Sequence, residues 1–258
     1  MGSLSAIPGI ADLSLTTNGA LLVEQAQNLF DAGLHRINVS IDTLKPDRFR
    51  AITQRGDLDT VLKGLFEAQR VGMSPIKINA VIIRGFNEDE LLDLVAFSRT
   101  HGFEMRFIEY MDVGNANGWT LDKTFTKREM LETIHATFPV RETGRAGGSA
   151  PAVDYEFLDG TGRVGIIGSV TEPFCSSCTR IRLTADGKLV TCLFAESGFD
   201  LKSLMRAGAS DSDLTEAIGK VWIGRSDRFS DVRWDHLRSG TPYKPESHRK
   251  IEMITLGG

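Results

Sequence analysis

Four β-prone runs separated by helix-length stretches constrain this chain more than anything else in it. DLSLTTNG (12–19), RINVSID (36–42), PIKINAVIIRG (75–85) and EMRFIEYM (104–111) alternate with LLVEQAQNLFDAG, TLKPDRFRAITQRGDLDTVLKGLFEAQRVG and NEDELLDLVAFSRTHG. The intervening stretches are too long for hairpin turns and read as helices, the middle one in two pieces. Strand, helix and strand in this order predict parallel pairing through right-handed crossovers.

Side chains alternate across a strand, so each run has two faces. One carries Leu13 and Leu15, then Ile37, Val39 and Ile41, then Ile76 and Ile78, and helices can cover it. The other carries Ser14, Thr16 and Asn18, then Asn38, Ser40 and Asp42, then Lys77 and Asn79. Branched apolar residues fill the interior of a packed barrel. A face polar throughout is either a lumen that holds a ligand or the open side of a sheet.

Lys77 is the sharpest residue on that face. Mid-strand it cannot easily reach water, and an unpaired buried charge costs several kcal/mol. It therefore calls for an anion: Asp42, Glu109 or a bound phosphate. Alternation puts Met111 on the face of Glu109 and Arg106 on the opposite one, which leaves Arg106 outside the expected site.

From Gly114 the pattern changes. NANGWTLDKTF is loop-like, Thr126 to Glu129 is a capping box for a helix through Ala136, and 144–150 is a Gly/Ser-rich connector. DYEFLDGTGRVGIIG predicts a hairpin turning at 159–162. Closing helices are expected near 200–208 and 211–222, and the chain ends in Gly257-Gly258. The second half thus reads as antiparallel and β-rich.

Its centre is TEPFCSSCTRIRLTADGKLVTCLF (171–194), which holds all three cysteines, Cys175, Cys178 and Cys192. RIRLT and KLVTCLF flank a short turn with Gly187, a hairpin signal. With 185–187 as the loop, Thr184 faces Lys188 and Arg180 faces Cys192. Cys178 is then diagonal to Cys192, about 7–8 Å away, and the thiols converge. Structural zinc takes four protein ligands, and the nearest histidines, His135 and His236, are distant in sequence. An iron–sulfur cubane also takes four thiolates as a rule, so three leave one iron open. Buried structural cysteines are the third alternative. Arg180 and Arg182 share a face beside this set, as anion ligands or as a solvated edge.

A net charge of −4 argues against a general nucleic-acid surface. The sequence shows no signal peptide and no apolar run near the ~20 residues of a membrane span. A cytoplasmic chain with reduced thiols is expected.

CSSCTRIRLTADGKLVTCLF resembles the carboxy-terminal cluster motif of the MoaA-type GTP 3',8-cyclases, radical S-adenosylmethionine enzymes that start molybdenum cofactor synthesis. LTTNG, RINVSID, IKINAV and RFIEYMDVGNANGW are similar to the last four strands of that family's partial (β/α)6 barrel. The resemblance implies a partial barrel over 1–113 and an iron–sulfur and GTP-binding domain over 114–258. It implies a 4Fe-4S cluster on Cys175, Cys178 and Cys192, and GTP contacts from Thr16, Lys77, Arg180, Ile181 and Arg182. Ser40 and Met111 would meet S-adenosylmethionine, and the Gly-Gly tail would enter the active site. The reaction implied is conversion of GTP to (8S)-3',8-cyclo-7,8-dihydroguanosine 5'-triphosphate. The expected partners are GTP and the downstream cyclic pyranopterin monophosphate synthase, with a homodimer as a further expectation.

The family also has two earlier strands and a C-x3-C-x2-C motif for a first 4Fe-4S cluster, and this sequence contains neither. The expectation is a truncated gene model or fragment, inactive alone, with an unpaired strand at its amino-terminal edge. The alternatives are a non-catalytic nucleotide-binding module with an iron–sulfur or zinc site, and an aldolase-like barrel with structural zinc. The second alternative leaves the cysteine hairpin unexplained.

Overall fold

The computed structural model describes the chain apart from residues 55, 116, 242, 246–248, 257 and 258. The expected role of Gly257-Gly258 lies outside the described residues. By compactness the chain forms two units. The first is Met1–Glu109, Thr124–Ala146 and Pro151–Gly168; the second is Tyr110–Lys123, Gly147–Ala150 and Ser169–Gly258.

In the first unit a short helix α1 (Gly2–Ser5) precedes β1 (Ser14–Thr17), α2 (Leu22–Asp31), β2 (Arg36–Ser40), α3 (Pro46–Thr53), α4 (Leu58–Arg70) and β3 (Ile76–Ile82). Then come α5 (Leu91–His101), β4 (Glu104–Glu109), α6 (Lys127–Thr137), β5 (Val140–Gly144), β6 (Val153–Phe157) and β7 (Arg163–Ile167). The alternation does predict the sheet: β1 to β4 pair in parallel, in sequence order. The stretch between β2 and β3 is two helices, as read. Asp57 caps the second by accepting from Thr60 N–H, which satisfies one of the orphan donors of a helix start. Thr126 and Glu129 close the capping box of α6.

The second half departs from expectation in one respect. Its first hairpin turns where predicted, with β6 and β7 antiparallel, but it joins the existing sheet. β7 pairs in parallel with β4, giving the order β1-β2-β3-β4-β7-β6-β5. Val164 and Ile166 are buried in the same core as Met105 and Phe107, and burying them beside β4 is what seats the hairpin. Among the described residues the sheet is open, with β1 at one edge and β5 at the other.

Strand faces follow the pattern of the sequence. β3 alternates buried and half-buried residues along its length, and Ile37, Val39, Ile76 and Ile78 lie in the core under the helices.

The second unit contains β8 (Arg182–Leu183), β9 (Lys188–Val190), β10 (Phe199–Asp200), α7 (Leu201–Arg206), α8 (Asp211–Ile223), α9 (Phe229–Ser239) and α10 (Met253–Leu256). The cysteine hairpin has the predicted register, Arg182 opposite Val190 and Leu183 opposite Leu189. Thr184 N–H donates to the Lys188 carbonyl at 2.9 Å across the turn. Gly187 takes φ +86° there, and a Cβ on it would lie 2.5 Å from Lys202 Cβ, so the turn needs glycine twice over. No helix among the described residues is long and apolar enough to cross a membrane.

Candidate functional site

The polar face of the first unit holds three of the predicted residues. Thr16 accepts a hydrogen bond from Asn38 Nδ2 at 3.2 Å, and Ser40 is exposed at the carboxy-terminal end of β2. Lys77 is half-buried opposite Glu104, its Nζ 2.9 Å from Oε2. Its counterion is therefore Glu104 rather than Asp42 or Glu109. Glu109 is buried on the helix side, where it accepts the Lys127 backbone N–H. Glu104 is shared: Arg163 Nε lies 3.4 Å from its other oxygen. Beyond it Arg141 pairs with Glu156 at 3.4 Å.

Arg106 corrects the reading by parity. β4 ends at Glu109, and Met111 belongs to the second unit, so alternation cannot be counted through to it. Arg106 stands opposite Asn79 on β3 and Gly165 on β7, on the polar face with Lys77. Its guanidinium has no hydrogen bond or ion pair among the described residues, although the charges of Asp154 and Glu104 act on it. Burial lowers its pKa from the ordinary arginine value. Asn79 Oδ1 beside it is buried without a hydrogen-bond partner. A side chain on Gly165 would meet Asp154 at 2.9 Å and Arg106 at 3.7 Å, so the glycine keeps the ground between them open.

Asp42 ends this face. Its Oδ1 accepts the Val81 N–H at 2.7 Å, and burial pushes its carboxyl up to about 6. Met111 lies past the strand, and its carbonyl accepts from Val113 N–H and from Asn117 Nδ2.

In the second unit the three cysteines are free and half-buried. Cys175–Ser177 forms one 3-10 turn, with Cys178 N–H donating to the Cys175 carbonyl at 3.2 Å. Cys192 Sγ accepts the Phe194 N–H at 3.4 Å. Burial pushes the Cys192 thiol up; Asp227 and Cys175 act in the same direction, and Arg182 against it. The ladder of the hairpin stops at Arg182 and Val190, so the expected pairing of Arg180 with Cys192 is not formed. Arg180 instead lies over the Phe174 ring at 5.0 Å. Ile181 is exposed. Arg182 is half-buried, and its guanidinium has no hydrogen bond or ion pair among the described residues. Burial and Arg180 lower its pKa, while Cys178 and Cys192 oppose that.

A cavity of about 620 Å³ opens on Cys192, with Phe194, Asp227, Arg233 and His236 also in its wall. Cys192 and His236 thus line one cavity. Even so, among the described residues no set of three or more His, Cys, Asp or Glu side chains is gathered as the ligands of one ion. That donor set does not suit structural zinc, which takes a closed tetrahedron. A cubane spreads its thiolates over several irons and needs only sulfurs that share a neighbourhood; Cys175 acts on the charge of Cys192, and Cys178 and Cys192 both act on Arg182, which suits it.

Beneath the cavity is a hub that sequence reasoning missed. Asp112 accepts from Arg233, Tyr243 and Lys250, and Arg233 and Lys250 both lie over the Phe194 ring, at 5.0 and 5.8 Å. Burial alone would raise the Asp112 carboxyl; Arg233 and then the Lys250 and Tyr243 bonds bring it below the usual range. These partners lie more than a hundred residues away, and no local pattern signals them.

Comparison with known proteins decides the family. A model described as Radical SAM superfamily matches residues 3–98, and one described as Molybdenum Cofactor Synthesis C matches residues 103–231. The chain is 46% identical to GTP 3',8-cyclase 3 of Mycobacterium bovis over 255 residues, which cover 97% of this chain and 67% of that protein. The chain belongs to the GTP 3',8-cyclase family. It is 44% identical to the GTP 3',8-cyclase of Xanthomonas axonopodis pv. citri, over 99% of this chain and 74% of that one. For that of Acidothermus cellulolyticus the identity is 42%, over 99% and 75%. Curated members are lyases, and membership of the radical SAM superfamily implies 4Fe-4S clusters and S-adenosylmethionine in general. The open, mainly parallel sheet is the GTP 3',8-cyclase family's partial barrel, followed by its β-rich region.

Proposed function

We propose that this chain carries the GTP-binding and second-cluster parts of a GTP 3',8-cyclase, which converts GTP to (8S)-3',8-cyclo-7,8-dihydroguanosine 5'-triphosphate in molybdenum cofactor synthesis. Functionally, 1–113 is the barrel part and 114–258 the cluster part. The observation that carries the reading is Arg182, a half-buried guanidinium with no counterion among the described residues, on which the charges of Cys178 and Cys192 act. Taking an unpaired charge partly out of water is unfavourable, and an anionic ligand beside the cluster offsets that cost.

Cys175, Cys178 and Cys192 would hold a 4Fe-4S cluster, supplying three thiolates to it. Arg180, Ile181 and Arg182 bind GTP beside it. On the polar face Thr16 and Lys77 also serve GTP, and Arg106 joins them as an anion ligand. Ser40 and Met111 meet S-adenosylmethionine. When held at a first cluster, S-adenosylmethionine would supply the radical that starts ring closure. The 258 residues contain cysteine only at 175, 178 and 192, so alone they offer no second set of thiolates and do not cleave it. The product passes to the cyclic pyranopterin monophosphate synthase, and the chain pairs with a second copy.

Anaerobic reconstitution tests the reading. Uptake of about four irons per chain is expected, with visible charge-transfer absorption, and Cys192→Ser should lose most of it. Stoichiometric zinc with no iron uptake would overturn the cluster assignment. With S-adenosylmethionine and a strong reductant, the reconstituted chain should give no 5'-deoxyadenosine above the protein-free control.

A further inference from the structure

The C-x2-C turn is held from outside by a residue far away in sequence. Arg225, in the linker between α8 and α9, donates from Nη1 to the Cys178 carbonyl at 2.5 Å and from Nη2 to the Cys175 carbonyl at 3.4 Å. Its side chain is 12% exposed, lies over the Trp222 ring at 4.8 Å, and has Nε 3.5 Å from Asp227 Oδ2. Asp227 lines the cavity on Cys192, and its charge acts on that thiol. Arg225-Ser226-Asp227 thus reaches all three cysteines.

The geometry suits arginine alone. A planar guanidinium presents two donors in a fixed fork, whereas a lysine ammonium is a point charge on a flexible stem. One fork on two carbonyls three residues apart fixes how far the two cysteines can separate. Groups in the outer shell of a metal site orient its ligands, and losing one typically lowers metal affinity 10–100-fold. Nearby charge and hydrogen bonding also set the potential of an iron–sulfur centre. Without the guanidinium, the Asp227 carboxylate would be uncompensated beside Cys192.

We infer that Arg225 is a positioning residue for the cluster on Cys175, Cys178 and Cys192, holding the first two by their carbonyls while Asp227 sets the charge beside the third. This rests on the cluster assignment above.

The reconstituted 258-residue chain and its variants are compared by the rate of iron loss to a chelator and by the midpoint potential in a spectroscopic redox titration. Arg225→Gln should lose iron at least about tenfold faster and have a lower potential. Arg225→Lys separates the two effects: it should lose iron at a similarly raised rate and keep a potential near the wild type. Asp227→Asn should raise the potential while leaving iron loss near the wild-type rate. Circular dichroism of the metal-free forms shows whether the fold is shared; should Arg225→Gln fail to fold, the lysine variant decides. A stable wild-type cluster with unchanged iron loss in both Arg225 variants overturns the inference and leaves the cluster assignment standing. A wild-type chain that takes up no iron overturns both.

Discussion

Lys77 and Glu104 stand opposite each other on β3 and β4, with Nζ 2.9 Å from Oε2. The pair explains how a lysine persists inside a parallel sheet, and it sets up a competition. An anionic ligand on the polar face gains Lys77 and meets repulsion from Glu104. Lys77→Ala should weaken GTP binding at least about tenfold, since a charge-assisted contact contributes roughly 1.5–3 kcal/mol. Glu104→Gln should tighten it several-fold. Calorimetric titration of the cluster-loaded forms measures both, and three equal affinities would remove Lys77 from the site.

Arg182 gives the companion prediction in the second unit. Its guanidinium is desolvated and unpaired among the described residues, and it sits near two of the three cysteines. Arg182→Ala should weaken GTP binding by at least about tenfold while iron content stays at the wild-type level. Unchanged affinity would mean that the arginine only solvates the hairpin.

The two sites were legible in the sequence to different depths. The hairpin register was readable because the Ala185-Asp186-Gly187 turn fixes which residues oppose, and Arg182 does face Val190. The polar face was readable because alternation needs only one strand at a time. Glu104 was not, since parallel strands joined by helices leave their relative register open to the sequence. Arg106 was misplaced because parity was counted through Glu109 to Met111, beyond the end of the strand. Strand β5 and helix α9 were not anticipated at all. Arg225 and Arg233 act only through partners that folding brings in from elsewhere in the chain.

Asp112 carries the next prediction. It is buried with Arg233 and Lys250, both also buried. Removing one partner from a buried ion pair leaves an uncompensated charge and costs about 3–5 kcal/mol. Asp112→Ala should lower unfolding stability by that order in denaturant titrations, far more than Asp211→Ala on an exposed helix start. Because its folded pKa is depressed, the stabilisation is present above the unfolded carboxylate value and is lost as pH falls through the folded one. Acid should therefore destabilise the wild type more steeply than the variant.

Asp42 predicts the opposite slope. Burial raises its carboxyl to about 6 from an ordinary 3.8. A raised folded pKa means that the folded state holds the proton more tightly than the unfolded chain does. The resulting stability is fully present below about 3.8 and is lost as pH rises through about 6. Raising the carboxyl from 3.8 to about 6 corresponds to roughly 3 kcal/mol at most. Asn is close to isosteric, keeps an oxygen for the Val81 N–H, and does not ionise. Asp42→Asn should therefore match the wild type near pH 4 and exceed it by up to about 3 kcal/mol above pH 7. Urea titrations of both forms at intervals across that range give the comparison. Parallel stability curves would mean that the carboxylate is solvated through the mouth of the polar face, and that no proton is held at Asp42 near neutrality.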